Sequence, residues 1–149
     1  MICDKIKQCS TLTSDARKTL EDKKGCKSKL LIENNFKTEY SIIDFEAGVF
    51  NNEASKCDFG VLTNDKIFYI ELKGSDVKKG IEQLLETINA TERCFSTLDF
   101  KARLIVSKFQ SPKIVKNTKE YKDLVKKLKH IPNQNDNLVI TQNVYTDKI

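Results

Sequence analysis

Residues 56–74, with the sequence KCDFGVLTNDKIFYIELKG, form the stretch that decides the fold of this chain. Two apolar runs flank the polar segment 63–65, a pattern typical of two strands joined by a tight turn. Charged side chains interrupt both runs, with Asp58 in the first and Glu71 and Lys73 in the second. Burying such groups costs free energy unless they bind something, so this hairpin is also the first candidate for a functional site.

The period of a β-strand indicates which of these charged side chains meet. Side chains two residues apart lie on the same face of a sheet, so Glu71 and Lys73 share a face. If the hairpin turns at residues 63–65, Asp58 becomes a cross-strand or diagonal neighbour of Glu71. Two carboxylates at such a short distance repel each other unless a cation lies between them.

The residue types at the hairpin favour a hard divalent cation. Carboxylate oxygens, with no Cys or His ligand pattern nearby, are typical ligands of Mg²⁺ or Mn²⁺. A lysine beside such an ion suits the orientation or deprotonation of a water molecule, because the pKa of lysine shifts readily. This combination suits hydrolysis of a phosphodiester bond by a metal-activated water.

The flanking sequence predicts one α/β domain over residues 1–149, with a mixed central β-sheet flanked by helices. The first three strands favour an antiparallel meander, and the strand–helix–strand segment that follows favours a right-handed parallel crossover. Hydrophobic periodicity and turn residues give the expected elements. The strands are expected at 37–47, 57–62, 66–73, 102–106 and 138–145, the last at an edge, and the clearest helices at 77–90 and 118–129.

The N-terminal third carries weaker signals. Residues 16–24 are interpreted as a short helix capped by Ser14 or Asp15, and residues 28–35 as one or two helical turns. Gly80 interrupts the helix at 77–90, which favours a close approach of another backbone at that point.

Composition places the chain among globular proteins, with 39% hydrophobic and 32% charged residues. No run approaches the roughly 20 apolar residues that cross a bilayer, and residues 1–10 lack a signal-type apolar segment, so we expect a cytoplasmic protein without a membrane partner. The five cysteines include no C-x-x-C pair, which favours free thiols over disulfides or zinc. A net charge of +5 permits a polyanionic partner without requiring one.

The hairpin also resembles a known family. Asp58, twelve intervening residues and then Glu71-x-Lys73 at the end of an apolar strand resemble the core of the PD-(D/E)XK nuclease superfamily. Its order of elements (helix, three strands, helix, strand) is similar over about half of this chain, residues 37–108. The resemblance implies a restriction-endonuclease-like core in which Asp58, Glu71 and the carbonyl of Leu72 bind the metal and Lys73 is catalytic.

Further residues enter through the same resemblance. Gln83, in the helix after the motif, is expected beside the site as part of the catalytic set. Glu33 is the candidate for a metal-binding acid on the first helix, and Glu21 is the poorer alternative. Cys57 stands where the family usually carries a proline, which is a departure. Lys78 and Lys79 are expected to contact nucleic-acid phosphates, since they begin the helix beside the motif.

The implied activity is a Mg²⁺- or Mn²⁺-dependent nuclease that hydrolyses DNA, in restriction, repair or phage defence. RNA stays open as a substrate, and cleavage of both strands of a duplex favours a homodimer. The alternative is a catalytically inactive nucleic-acid-binding or protein-interaction module that keeps the fold. A further alternative is that Glu71 and Lys73 form a solvated cross-strand face of an ordinary sheet, but a polar pair at the end of a strongly apolar strand disfavours it.

Three further features have open interpretations. Asp44 is either a carboxylate of the site or an ordinary strand residue. The lysines of 119–129 are either a solvated helix face or contacts to a nucleic-acid backbone. His130 is expected to be structural or exposed.

Overall fold

The computed structural model describes residues 1–51, 53–108 and 115–149. None of the helices in these ranges is long and apolar enough to cross a membrane. The helices are α1 (Ile2–Gln8), α2 (Val77–Thr91) and α3 (Lys119–Lys127), with a 3-10 turn at Glu92–Phe95. The strands are β1 (Ser10–Thr13), β2 (Arg17–Glu21), β3 (Lys29–Glu33), β4 (Tyr40–Asp44), β5 (Phe59–Leu62), β6 (Lys66–Lys73), β7 (Asp99–Val106), β8 (Leu138–Gln142) and β9 (Val144–Lys148).

Six strands form the central sheet in the order β1-β4-β5-β6-β7-β8. The predicted antiparallel meander is β4–β5–β6, and β6 pairs in parallel with β7 after the α2 crossover. β8 adds a second parallel pairing and forms an edge of this sheet. The prediction of an α/β fold with a mixed sheet flanked by helices is confirmed.

The helices cover one face of the central sheet. The side chain of Asp76 caps α2 by accepting a hydrogen bond from the N–H of Lys79, and Thr118 caps α3 in the same way. Apolar side chains at helical spacing then face the sheet. Buried residues of this core include Ile6, Ile43, Tyr69, Ile81, Leu84, Ile88, Leu104 and Leu124.

A three-stranded sheet in the order β2-β3-β9 covers the other face. The prediction of short helices at 16–24 and 28–35 is therefore wrong, because these segments form β2 and β3. Along β3, Leu30 and Ile32 are buried in the core between the two sheets, and the alternating residues Lys29, Leu31 and Glu33 are only half-buried. This burial outweighs the weak helix propensity of the lysine-rich segment.

Arg103 joins the two sheets from a fully buried position on β7. Its Nε and Nη2 donate to the carboxylate of Asp147 in β9 at 2.9 and 3.1 Å, and its Nη1 donates to the carbonyl of Asp136 at 2.6 Å. The rings of Phe68 and Tyr145 lie 5.4 and 5.5 Å from its guanidinium carbon. The buried charge is thus paired and stacked.

The segment 138–145, predicted as one strand, divides into β8 and β9. Asn143 separates them with a φ of +69°, a left-handed conformation that asparagine tolerates. The chain can therefore leave the edge of the central sheet at Asn143 and enter the second sheet.

Cys3 and Cys94 form a disulfide, which corrects the prediction that all the thiols are free. The two cysteines are 91 residues apart and meet only because α1 packs near the end of α2. Sequence spacing therefore gave no sign of the pairing. Cys9, Cys26 and Cys57 are free, as expected.

Gly80 of α2 packs against a side chain and not against another backbone, which corrects the prediction for this position. A Cβ at Gly80 would lie 2.6 Å from Cδ1 of Leu104 on β7. Glycine therefore lets α2 lie close to the central strands that carry the candidate site.

Candidate functional site

Asp58 and Glu71 meet where β5 begins and β6 ends. The antiparallel register pairs Phe59 with Ile70, and the N–H of Asp58 donates to the carbonyl of Ile70 at 3.1 Å. Asp58, one residue before β5, therefore lies beside Glu71, whose Oε1 is 3.1 Å from the same N–H. The expected neighbour relationship between the two carboxylates is confirmed.

Main-chain N–H groups hold one oxygen of each carboxylate. The N–H of Leu72 donates to Oδ2 of Asp58 at 2.8 Å, and the N–H of Asp58 donates to Oε1 of Glu71 at 3.1 Å. These contacts fix both side chains without using their second oxygens, Asp58 Oδ1 and Glu71 Oε2. The main chain of Leu72 is thus part of the same site.

Lys73 extends the site towards α2. Its Nζ lies 3.6 Å from Oε2 of Glu71 and donates to Oε1 of Gln83 at 2.6 Å. The Nε2 of Gln83 in turn donates to the carbonyl of Lys56 at 2.9 Å. Gln83 therefore lies beside the motif, as expected, and connects the lysine to the segment before β5.

Thr87, one turn further along α2, fixes the residue before Asp58. Its hydroxyl accepts a hydrogen bond from the N–H of Cys57 at 2.8 Å and donates to the carbonyl of Gln83 at 2.7 Å. Both Thr87 and Cys57 are fully buried. Successive turns of the helix thus hold the start of β5, and sequence reasoning missed this contact because a threonine inside a helix has no distinctive spacing.

Burial dominates the electrostatics of the acidic pair. Asp58 is 8% exposed and Glu71 is 2% exposed. Burial raises the pKa of Asp58 to about 7, assisted by the carboxyl of Glu46 and opposed by the hydrogen bond from Leu72. Burial likewise raises the pKa of Glu71 to about 9, with Asp58 adding to the shift and Lys73 opposing it. A cation beside the pair would relieve this unfavourable burial of charge.

Glu46 is an acidic neighbour that the sequence interpretation missed. It follows β4, and the N–H of Phe45 donates to the carbonyl of Asp58 at 3.2 Å, so the end of β4 lies beside the start of β5. The carboxyl of Glu46 is close enough to raise the pKa of Asp58. The meander itself was the available signal, since an antiparallel neighbour brings the end of one strand to the beginning of the next.

The structure does not bring Glu33 to the acidic pair. Ser28, directly before β3, donates to the carbonyl of Lys73 at 2.9 Å, so the start of β3 lies near the site. Glu33 is five residues further along an extended segment, roughly 16 Å away at 3.3 Å per residue. The choice of Glu33 assumed a helix that is in fact β3, and the carboxylate of Glu21 pairs instead with Lys29 at 3.4 Å.

The remaining candidate residues lie either around the rim of the site, which is the exposed surface next to the acidic pair, or further away. Lys78 and Lys79 are exposed on the first turn of α2, five and six residues after the end of β6. Asp44 forms an ion pair with Lys23.

His130 has a structural role, because its Nδ1 accepts a hydrogen bond from the N–H of Leu138 at 3.3 Å. On α3, Lys127 pairs with Glu92 at 2.8 Å, and the other lysines of that helix are exposed.

The donor atoms at the acidic pair fit a hard cation. Mg²⁺ usually keeps several waters and binds proteins through one or two carboxylates, and Asp58 and Glu71 supply two. Within the described ranges no three His, Cys, Asp or Glu side chains converge into a complete metal centre. A cation here would therefore be held by two carboxylates, main-chain oxygen and water.

A concavity of about 230 Å³ lies at the opposite end of the central sheet, around the β5–β6 turn. Two ion pairs neutralise several of its charged groups. Lys66 pairs with Asp65, and Lys101 pairs with Asp136. The carboxylates Asp58 and Glu71 are instead buried next to each other, which makes their pair the stronger candidate site.

The geometry thus joins two buried carboxylates, one lysine and one glutamine that orients the lysine. Such a set can bind a divalent cation and place an ammonium group next to it. No known protein family, curated protein or solved structure matches this chain.

Proposed function

We propose that this protein is a divalent-metal-dependent nuclease that hydrolyses DNA phosphodiester bonds, with a restriction-endonuclease-like core of the PD-(D/E)XK type. One observation carries the proposal. Asp58 and Glu71 are buried next to each other, and Nζ of Lys73 lies 3.6 Å from Glu71. Burial of the two carboxylates next to each other has a high free-energy cost unless they bind a cation.

The roles of the residues follow from their positions. Asp58 and Glu71 would hold Mg²⁺ or Mn²⁺, with the carbonyl of Leu72 as a further ligand. The bound ion supplies positive charge for the phosphate oxygens and lowers the pKa of water. Lys73 would orient the attacking water or stabilise charge on the phosphate.

Surrounding residues support this arrangement. Gln83 is a positioning residue, since it accepts the hydrogen bond that directs the ammonium of Lys73. Glu46 takes the place proposed for Glu33 as an additional acidic group, because its carboxyl lies beside Asp58. Lys78 and Lys79 are exposed at the rim and suited to phosphate contacts.

The order of elements also supports the proposal. The meander β4–β5–β6, the α2 crossover and the parallel strand β7 follow the order of the core in that superfamily. The acidic pair lies where β5 begins and β6 ends.

A cleavage assay tests the proposal. Purified protein is incubated with labelled single-stranded DNA, duplex DNA and RNA, with Mg²⁺, Mn²⁺ or EDTA. We expect metal-dependent cleavage of DNA, and a loss of at least about 100-fold in Glu71→Gln and Lys73→Ala. Glu86→Gln and Lys18→Ala, at exposed positions, are matched controls that should cleave normally.

Three outcomes would reject parts of the proposal. Cleavage that survives in both site variants would reject this site. Binding of nucleic acid without cleavage under any metal would favour the inactive module. Cleavage of RNA alone would correct the substrate. Sedimentation of the protein with and without DNA tests the proposed homodimer.

A further inference from the structure

The turn between β2 and β3 (residues 22–28, DKKGCKS) lies beside the proposed nuclease site and is rich in lysine. It is anchored at its base by Ser28, which is fully buried. The hydroxyl of Ser28 donates to the carbonyl of Lys73 at 2.9 Å and lies 3.3 Å from the hydroxyl of Ser107. The turn is therefore held at the carboxyl ends of β6 and β7, where Lys73 also lies.

The other side of the turn is anchored as well. Lys23 pairs with Asp44 at the end of β4, and its Nζ lies 5.8 Å from the ring centre of Phe59. The carboxylate of Asp22 accepts a hydrogen bond from the N–H of Cys26 at 3.2 Å, which closes the turn. Contacts on both sides therefore hold the turn in place beside the site.

Two lysines of the turn are exposed and have no carboxylate partner in the described part of the chain. These are Lys24 and Lys27. They flank Gly25, whose φ of +85° produces the tight reversal between them. Lys23 of the same turn pairs with Asp44, whereas Lys24 and Lys27 form no ion pair within the described residues. Their two ammonium groups are therefore available to an external anion.

The charge of the site explains why such groups are needed. The acidic side chains of Asp58, Glu71 and Glu46 lie near one another, and this acidic centre offers no attraction to phosphate itself. The exposed Lys78 and Lys79 lie on the α2 side of this centre, and the β2–β3 turn lies on the opposite side. Lysines on both sides of an acidic centre fit a polyanion that passes across it.

We propose that the β2–β3 turn is a phosphate-binding arm that holds the nucleic-acid backbone over the site through Lys24 and Lys27. This inference rests on the proposed nuclease function, since it assigns the arm to the same substrate. The contacts go to the backbone and carry no sequence preference. The arm contributes to binding and not to the chemical step.

The test compares Lys24→Ala/Lys27→Ala with Arg17→Ala/Lys18→Ala. The control removes the same charge from exposed residues of the same hairpin, at the end remote from the site. Binding of a short fluorescein-labelled DNA duplex is measured by anisotropy over a range of salt concentrations, in the Glu71→Gln background so that no cleavage occurs. Thermal melting checks that each variant is folded.

We expect the Lys24/Lys27 variant to bind about 10-fold more weakly at low salt, with the slope of log K against log salt reduced by about 2. Lys24→Glu/Lys27→Glu should bind more weakly still, and the control should match the parent. In the otherwise native protein, the double alanine variant should raise KM for DNA and leave kcat unchanged.

Different experimental results would overturn the proposed arm and the proposed nuclease function. The arm would be overturned if both Lys24/Lys27 variants kept the affinity and salt slope of the parent, or if the control lost as much affinity as they do. A parent protein that binds no DNA would also overturn it. A native protein that binds DNA through the turn but cuts nothing would overturn the nuclease and keep the turn as a backbone-binding element.

Discussion

Nζ of Lys73 donates a hydrogen bond to Oε1 of Gln83 at 2.6 Å, which connects the end of β6 to the second turn of α2. Glu71 lies on the other side of the ammonium group, with Oε2 at 3.6 Å. Contacts to Gln83 of α2 and to Glu71 of β6 therefore both restrict the position of the Lys73 ammonium group.

Gln83→Ala should lower kcat more than it changes KM. Without Gln83 the ammonium of Lys73 is no longer directed, and small misplacements of a catalytic group cost about 10- to 100-fold. The lost hydrogen bonds should also lower the free energy of unfolding by about 1 kcal/mol. Steady-state kinetics and urea denaturation measure both effects, with exposed Asn89→Ala on the same helix as the control. A change in KM alone would contradict the positioning role.

Stability without metal should fall as pH rises. The pKa of Asp58 is raised from 3.8 to about 7 and that of Glu71 from 4.5 to about 9. Between about pH 4 and pH 9 the folded state keeps protons that the unfolded state has lost, so the free energy of unfolding decreases with pH. Glu71→Gln removes one of these groups and should flatten the decline between about pH 4.5 and pH 9, most completely above about pH 7, where the remaining Asp58 is ionised in both states.

Urea denaturation at several pH values in EDTA measures this effect. The exposed substitution Glu86→Gln on α2 should keep the slope of the parent. A decline of equal steepness in Glu71→Gln and the parent would show that Glu71 ionises normally.

Strong local patterns in the sequence predicted the strands and the helix that surround the candidate site. Alternating apolar residues and a polar turn predicted the β5–β6 hairpin, and the two-residue period of strands predicted Asp58 and Glu71 as cross-strand or diagonal neighbours. The periodicity of α2 predicted its length, whereas the position of Gln83 near the site was implied only by the family resemblance.

Features that depend on distant parts of the chain could not be predicted. β2 and β3 are strands because Leu30 and Ile32 have a second sheet surface to pack against, and that surface is built by segments far along the chain. The disulfide between Cys3 and Cys94 has the same origin. Glu46 was missed because no local period marks a residue that follows a strand.

Asp147→Ala should be strongly destabilising. It would leave the fully buried guanidinium of Arg103 without its bidentate partner, and breaking a buried ion pair costs about 3–5 kcal/mol. Asp136→Ala should cost less, because the side chain of Asp136 is 56% exposed and its carbonyl contact to Arg103 remains. Chemical denaturation compares the two, and equal losses would contradict a dominant role for Asp147.

Gly80→Ala should destabilise the protein, although alanine is the better helix former by about 1 kcal/mol. The added Cβ would lie 2.6 Å from Cδ1 of Leu104, a fully buried side chain, and such overpacking costs about 1–3 kcal/mol. Leu104→Val should cost less in the Gly80→Ala background than in the parent, because it shortens the opposing side chain. Additive effects in this double-mutant cycle would contradict a direct clash.

Calorimetric titration of Mn²⁺ into the protein at neutral pH tests most directly whether Asp58 and Glu71 form a divalent-cation site. Because both carboxyl groups have raised pKa values, binding should release protons, and the observed heat should depend on the ionisation enthalpy of the buffer. We predict a saturable site in the wild type that is lost in folded Asp58→Asn/Glu71→Gln and kept in Glu86→Gln. The absence of binding in the wild type, or unchanged binding in the double variant, would contradict the account.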